Sequence, residues 1–363
     1  MSIIHDLLEK AVSVGASDVH IKPDQEPHYR VSGHLVESGF EILTTKQLEE
    51  IVLDILPPHL TEMYKAEHEA DFSHVEEDVG RFRVNIFMAQ HIPTLAMRHV
   101  KTDVPSLSEL GLPPVLEKLA LVPRGIILLS GTTGSGKSTT LAAIIQRINQ
   151  NLRRRIITIE DPVEYIFPDQ QSLITQREIG LDTLSFNAAL KRVMRQDPDV
   201  IMVGEMRDHI SFMAALAASE TGHLVLSTLH SGTADKSIYR ILDLFPASER
   251  DQMRMSLAAN LHAIICQRLI PTIRGGVVPA CEILINTPTV RKLLNKNQLD
   301  IISAAIETGG EDDMQNFNKS VYDLIKAGLI SESEGMRHAS NPEALRMNLQ
   351  GIFLDEGRRI LAT

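Results

Sequence analysis

Eight consecutive residues limit what this chain can fold into more than any other feature. Gly131-Thr132-Thr133-Gly134-Ser135-Gly136-Lys137-Ser138 fits the pattern G-x-x-x-x-G-K-[ST] in full. An apolar run at 125–129 precedes it, and helical periodicity over 139–148 follows, opening at Thr139. Strand, glycine turn and helix in that order belong to an α/β layer. Glycines let the backbone curl until successive N–H groups face one anion, and the helix N-terminus adds partial positive charge there. Lys137 is placed to reach the β- and γ-phosphates of a nucleotide. The Ser138 hydroxyl is placed to ligate Mg²⁺.

Phosphate binding alone does not give hydrolysis, which also needs an acid near the metal and a group that orients water. Short buried-type strands at 125–129, 155–159, 200–203 and 224–227 alternate with helices of ten or more residues, so a parallel-type sheet is expected. Functional groups in such sheets collect at the C-terminal strand ends. The run 155–159 leads into Glu160-Asp161-Pro162-Val163-Glu164. The run 200–203 leads into Gly204-Glu205. The run 224–227 leads into Thr228-Leu229-His230, with His223 at its start. Each alone reads equally as a helix cap or a solvated histidine. Their convergence beside a phosphate turn is what makes them candidates.

The rest of the chain divides readily. Residues 1–100 mix short helices and strands as an α+β domain. The stretch 101–114 carries three prolines and reads as a linker. Residues 115–285 form the nucleotide core, and 286–363 read as all helical, with segments at 289–295, 299–307, 317–327 and 342–357. In the first domain, Arg81, Arg83 and Asn85 alternate with Phe82, Val84 and Ile86, which puts the arginines on one open face of a strand.

Composition removes other classes. Hydrophobic residues are 43% and charged residues 23%, as in an ordinary globular protein. Two cysteines, Cys266 and Cys281, leave no disulfide framework and no zinc module. No apolar run approaches the ~20 residues that span a bilayer, and the first ten residues lack the apolar core of an export signal, so a cytoplasmic chain is expected. A net charge of −11 argues against a nucleic-acid partner.

These residues resemble a known family. GTTGSGKSTTLAAI resembles the Walker A of secretion-type and type IV pilus ATPases, and ITIEDPVEYI resembles their Asp box. RQDPDVIMVGEMRD resembles their Walker B, with Gly204 where an Asp is usual, and TGHLVLSTLHSGTA resembles their His box. GASDVHIKP and GRFRVN match in the first domain. The resemblance is strongest to the PilT/PilU branch, the motors that retract type IV pili.

That resemblance implies a RecA-like P-loop ATPase core with a small N-terminal α+β (PAS-like) domain and a helical C-terminal region. It implies ATP and Mg²⁺, a homo-hexamer, and docking at the inner-membrane face of the pilus machine on a PilC-like platform protein. A paralogous retraction ATPase is a further implied partner. It makes Glu164 the catalytic glutamate, Glu205 the Walker B acid acting on the metal through water, and His223 and His230 sensors of nucleotide state. It brings Arg81, Arg83 and Arg98 to the γ-phosphate at an interdomain cleft. Two departures matter. The helix that reads AIRNLIRE-like in the principal motors is Thr289-Val290-Arg291-Lys292-Leu293-Leu294-Asn295-Lys296 here, with Asn295 in place of the second arginine. The tail NPEALRMNLQGIFL is closer to the accessory branch. Principal retraction motor, accessory retraction ATPase and secretion or competence motor thus remain open. The start of the sequence at the α+β domain, with two cysteines, disfavours an extension motor.

Overall fold

The computed structural model describes residues 2–31, 33–100 and 102–352. Contacts gather into two compact units. One is the chain up to Asp103 together with Pro162–Ile166. The other is Val104–Asp161 with the described residues from Phe167 onward.

The first unit runs α1 (Ile3–Ser13), β1 (Asp18–Ile21), β2 (His28–Val31), β3 (His34–Glu37), α2 (Thr45–Ile55), α3 (Thr61–Glu67), β4 (Glu69–Glu76), β5 (Gly80–Ala89) and β6 (Ile92–Val100). Its strands pair antiparallel in the order β3-β2-β1-β6-β5-β4. Ser2 caps α1 by accepting from the His5 N–H, and the helix buries Ile4, Leu7, Leu8 and Ala11. Gly15 follows with φ +69, the left-handed turn that ends a helix. A reciprocal Thr44–Gln47 capping box starts α2, which buries Leu48, Ile51, Val52 and Ile55. Both helices share a core with Phe82, Val84 and Ile86 of β5 and Leu95 and Met97 of β6. α3 has no buried residue, so apolar periodicity could not announce it.

The second unit begins with α4 (Val115–Ala120), β7 (Gly125–Ser130), α5 (Lys137–Asn151), β8 (Arg155–Glu160), β9 (Leu173–Glu178), α6 (Phe186–Val193), β10 (Val200–Val203), α7 (His209–Glu220) and β11 (Leu224–Leu229). It continues with α8 (Ala234–Asp243), α9 (Arg250–Asn260), β12 (Leu261–Pro271) and β13 (Val277–Ile285). The helices α10 (Pro288–Asn295), α11 (Ile302–Thr308), α12 (Phe317–Lys326), α13 (Glu332–His338) and α14 (Pro342–Leu349) complete it. Its seven strands lie in the order β13-β12-β7-β11-β10-β8-β9. All neighbours are parallel except β12 and β13.

The sheet is parallel-type, as expected, with one antiparallel edge strand, β13, that makes it mixed. β12 and β13 escaped the sequence reading because β12 starts at Leu261 directly after α9 ends at Asn260, with no turn residue between them. β9 escaped it as an edge strand with only Glu178 buried. Leu107 and Leu112 are buried, so much of the stretch read as linker is anchored to the second unit. The C-terminal helices likewise share one core with the sheet: Val290, Leu294, Ile302, Phe317, Val321 and Leu345 join Ile126, Leu128, Val203 and Val225. The helix read over 342–357 ends at Leu349. Residues 353–357 of that reading, the last two residues of the quoted tail, Ser32 and Lys101 lie outside the described residues.

Candidate functional site

Strand order explains how residues distant in sequence meet. β11 lies between β7 and β10, and all three run parallel. The turn after β7, the loop after β11 and the residues after β10 therefore emerge side by side, at strand spacings of about 5 Å. These are the phosphate turn, His230 and Glu205.

The turn has the backbone its glycines permit. Gly131, Gly134 and Gly136 have φ of +151, +79 and +86. A Cβ on Gly131 would lie 2.5 Å from Ser135 Oγ and 2.6 Å from the Gln267 carbonyl oxygen, so only glycine fits there. Thr132, Thr133 and Gly134 are exposed, while Ser135 is buried and its hydroxyl has no hydrogen-bond partner. Gly136 is the N-cap of α5, and a glycine brings no capping side chain. Ser138 and Thr139 lie in that first turn. The Lys137 ammonium is buried and donates to the carbonyl oxygens of Gly131 and Thr132, both at 2.9 Å. An unsatisfied buried hydroxyl, a helix N-terminus without a capping side chain and a lysine folded over the turn make an anion cradle.

The acid and the histidine are electrostatically tied to it. Glu205 accepts from Arg207, with Nη2 2.7 Å from Oε2 and Nε on the other oxygen, and His230 Nε2 stands 3.8 Å away. The Arg207 hydrogen bonds hold the Glu205 carboxyl below its ordinary pKa, with His230 and Lys137 assisting against the cost of burial. Burial lowers the His230 pKa, and Lys137 pushes the same way, so the imidazole is neutral at pH 7.

The donors beside the turn are oxygens, the ligands that Mg²⁺ prefers. No cluster of three or more His, Cys, Asp or Glu suited to a metal occurs among the described residues. Mg²⁺ usually takes one or two protein oxygens and leaves its other positions to phosphate and water. The Ser138 hydroxyl on α5 and the Glu205 carboxylate fit that role. Glu205 must first release Arg207.

Two contributors were not singled out from sequence. Gln267 of β12 is buried behind the turn, with Oε1 2.9 Å from Thr140 Oγ1. A Cβ on Gly136 would lie 2.8 Å from its Nε2. Arg207 is the other. Their signals were a glutamine inside an apolar run and an arginine two residues from the acid. Glu160 ends β8 buried, accepting from Thr158 Oγ1 at 2.6 Å and Gln176 Nε2 at 3.1 Å.

The remaining candidates lie on other elements. His223 precedes β11, whereas His230 follows it. Six strand residues at about 3.3 Å each separate them, so His223 does not reach its own chain's phosphate turn. Its ring bonds the Ala218 carbonyl at 2.8 Å and Thr221 Oγ1 at 3.1 Å. Glu164 is exposed, in the segment grouped with the first unit. There, Arg83 and Arg98 are cross-strand partners on exposed positions of β5 and β6. Arg81 lies on the face of Arg83, as the alternation required. Arg98 Nε donates to Asp18 Oδ1 at 2.7 Å.

Comparison with known proteins decides the family. The model of the type II/IV secretion system protein family matches residues 1–304. The chain belongs to that family. It is 40% identical over 340 residues to the type IV pilus retraction ATPase PilT of Pseudomonas aeruginosa, covering 94% of this chain and 99% of that protein. It is 39% identical over 345 residues to the type IV pilus ATPase PilU of the same organism, covering 95% and 90%. The crystal structure of the pilus retraction motor PilT with bound ADP superposes with a TM-score of 0.87 at 39% identity, covering 94% of this chain and 98% of that one. No helix among the described residues is long and apolar enough to cross a membrane.

Proposed function

We propose that this family member is a Mg²⁺-dependent ATPase that powers retraction of type IV pili and so drives twitching motility. The observation that carries the reading is the meeting of Lys137, Glu205 and His230 at adjacent C-terminal ends of parallel strands, in a chain alike over nearly its whole length to PilT and PilU. Residues Gly131–Thr139 hold the triphosphate. Mg²⁺, when bound, neutralises phosphate charge, with Ser138 holding it directly and Glu205 through water. Glu164 polarises the water that attacks the γ-phosphorus as the bond to ADP breaks. Arg81, Arg83 and Arg98 answer the charge on the transferring group. His230 reports nucleotide state to the strand end, and His223 acts toward a neighbouring subunit. The working form is a homo-hexamer docked at the cytoplasmic face of a PilC-like platform protein, as a ring that closes head to tail.

The domains carry over as 1–100, a linker at 101–114, a core at 115–285 and a helical region at 286–363. The test is steady-state hydrolysis joined to a deletion. Lys137→Ala and Glu205→Ala should abolish turnover, and deletion should leave cells hyperpiliated and non-motile. Unchanged turnover in either variant would overturn the site.

Asn295 supports a second reading, an accessory retraction ATPase in a ring with a paralogue. The side chain is exposed at the end of α10, and its carbonyl accepts from Arg254 Nη1 at 2.7 Å. Normal twitching after deletion, restored dependence when the paralogue is also removed, would select it.

A further inference from the structure

The phosphate turn and the histidine loop are joined by one buried hydroxyl. Ser130 is the last residue of β7 and directly precedes Gly131, while Ser231 directly follows His230. Ser130 Oγ donates to the Ser231 carbonyl oxygen at 2.9 Å and accepts from the Ser231 N–H at 3.0 Å. Ser237 Oγ of α8 stands 3.1 Å from Ser130 Oγ and 2.8 Å from the Thr233 carbonyl, and its single proton serves one or the other. Ser130 and Ser237 are fully buried, and Ser231 is 9% exposed. Both main-chain polar groups of Ser231 are thus satisfied by the side chain beside the turn. No water competes in that setting, where an unmade bond is costly.

We propose that Ser130 is a positioning residue that locks the histidine loop to the phosphate turn. Displacement of Gly131 by the phosphates then moves Ser231, and with it His230 beside Glu205. Ser130 touches no reacting atom. It acts through Ser231, and the assignment rests on the nucleotide-site reading above. A hydroxyl used only for packing or solubility would not sit with no exposure between two loops, bonded to both polar groups of one peptide residue. The strand register, which sets Ser130 opposite Leu229, aligns the two loops but does not orient the Ser231 peptide. The hydroxyl does.

The test compares Ser130→Cys, Ser130→Ala and Ser130→Thr in the full chain, with Lys137→Ala as reference. Cysteine nearly keeps the volume but is a poor donor and acceptor. Threonine keeps the hydroxyl. We expect Ser130→Cys and Ser130→Ala to lower kcat for ATP about 10–100-fold, the scale of a misplaced catalytic group. KM for ATP should stay within about threefold, because phosphate contacts remain. Ser130→Thr should hold kcat within about threefold of wild type. Hydrogen exchange at the Ser231 amide should quicken in Ser130→Cys and not in Ser130→Thr. Wild-type kcat in Ser130→Cys, or equal impairment of the threonine and cysteine variants, would overturn the proposal. Should Ser130→Ala fail to fold, the cysteine and threonine pair still decides. Turnover retained in Lys137→Ala would instead condemn the nucleotide site itself.

Discussion

Gln267 and Thr140 offer a sharp test of how the phosphate turn is supported. Thr140 Oγ1 donates to Gln267 Oε1 at 2.9 Å, and the two residues are 1% and 3% exposed. Thr140→Val strands the glutamine oxygen, and Gln267→Leu strands the threonine hydroxyl. Each leaves one buried polar group without its partner, a cost of about 1–3 kcal/mol. The double variant removes both groups and restores an apolar contact of similar shape, so its loss should be about 1 kcal/mol or less. The cycle thus predicts strong non-additivity, with a coupling of about 1–5 kcal/mol. Chemical denaturation of the nucleotide-free chain reads the stability. A fluorescent ADP titration should track it, because Gln267 lies behind both Gly131 and Gly136. Two single losses that simply add would mean that the bond contributes nothing and that β12 supports the turn by packing alone.

Three further outcomes are expected. Arg207→Ala should move the acidic limb of the kcat/KM pH profile, which reports the free enzyme, upward, because the Arg207 hydrogen bonds are the leading cause of the lowered Glu205 pKa; an unmoved limb would show that the pair does not form in solution. Burial raises the pKa of Glu282, which accepts from the Ala234 N–H at 2.8 Å, so the folded chain keeps a proton that the unfolded chain has released. Stability from this group is full below the ordinary glutamate pKa and falls as pH rises through the raised value. Glu282→Gln should therefore gain thermal stability over wild type as pH rises above the ordinary glutamate range, and a pH-independent difference would refute this. Arg83→Ala should leave stability within about 0.5 kcal/mol, as for other exposed sites, while kcat falls about 1,000-fold or more if the guanidinium meets the γ-phosphate. Wild-type kcat would remove Arg83 from the machinery.

Legibility followed the range of the chemistry. The turn could be read because its glycines, lysine and serine are contiguous and their spacing is itself the mechanism. The alternation of β5 could be read because a strand's period fixes its faces: Phe82, Val84 and Ile86 are wholly buried while Arg83 is exposed. Neighbourhood was harder. Glu205 and His230 follow strands visible in sequence, yet only the order β7-β11-β10 brings them to Lys137 and leaves His223 a strand's length away. Gln267 was hidden because Ile264-Ile265-Cys266-Gln267 reads as core, and nothing local says which strand will border the turn. α3 and α13 were invisible for a different reason. α3 buries nothing and α13 buries only Gly335, so neither leaves an apolar stripe. α13 is held by the Ser331 cap and by the Arg268 bond to His338.

That last bond changes how the C-terminal helices should be regarded. Successive residues of a strand face opposite sides, so Gln267 and Arg268 look away from each other. Gln267 backs the phosphate turn. Arg268 Nη1 donates to the His338 carbonyl at 2.6 Å, and its guanidinium lies 3.8 Å from the centre of the Phe317 ring of α12. One strand residue thus carries the cradle and the next carries the helices. On β13, Glu282 reaches the first amide of α8, four residues after His230. A region that reads in sequence as an appended helical tail is joined by two adjacent strands to both loops of the site. For a chain proposed to turn hydrolysis into movement, these two strands are the contiguous contacts through which a shift at the phosphates would reach helices that begin more than a hundred residues further along.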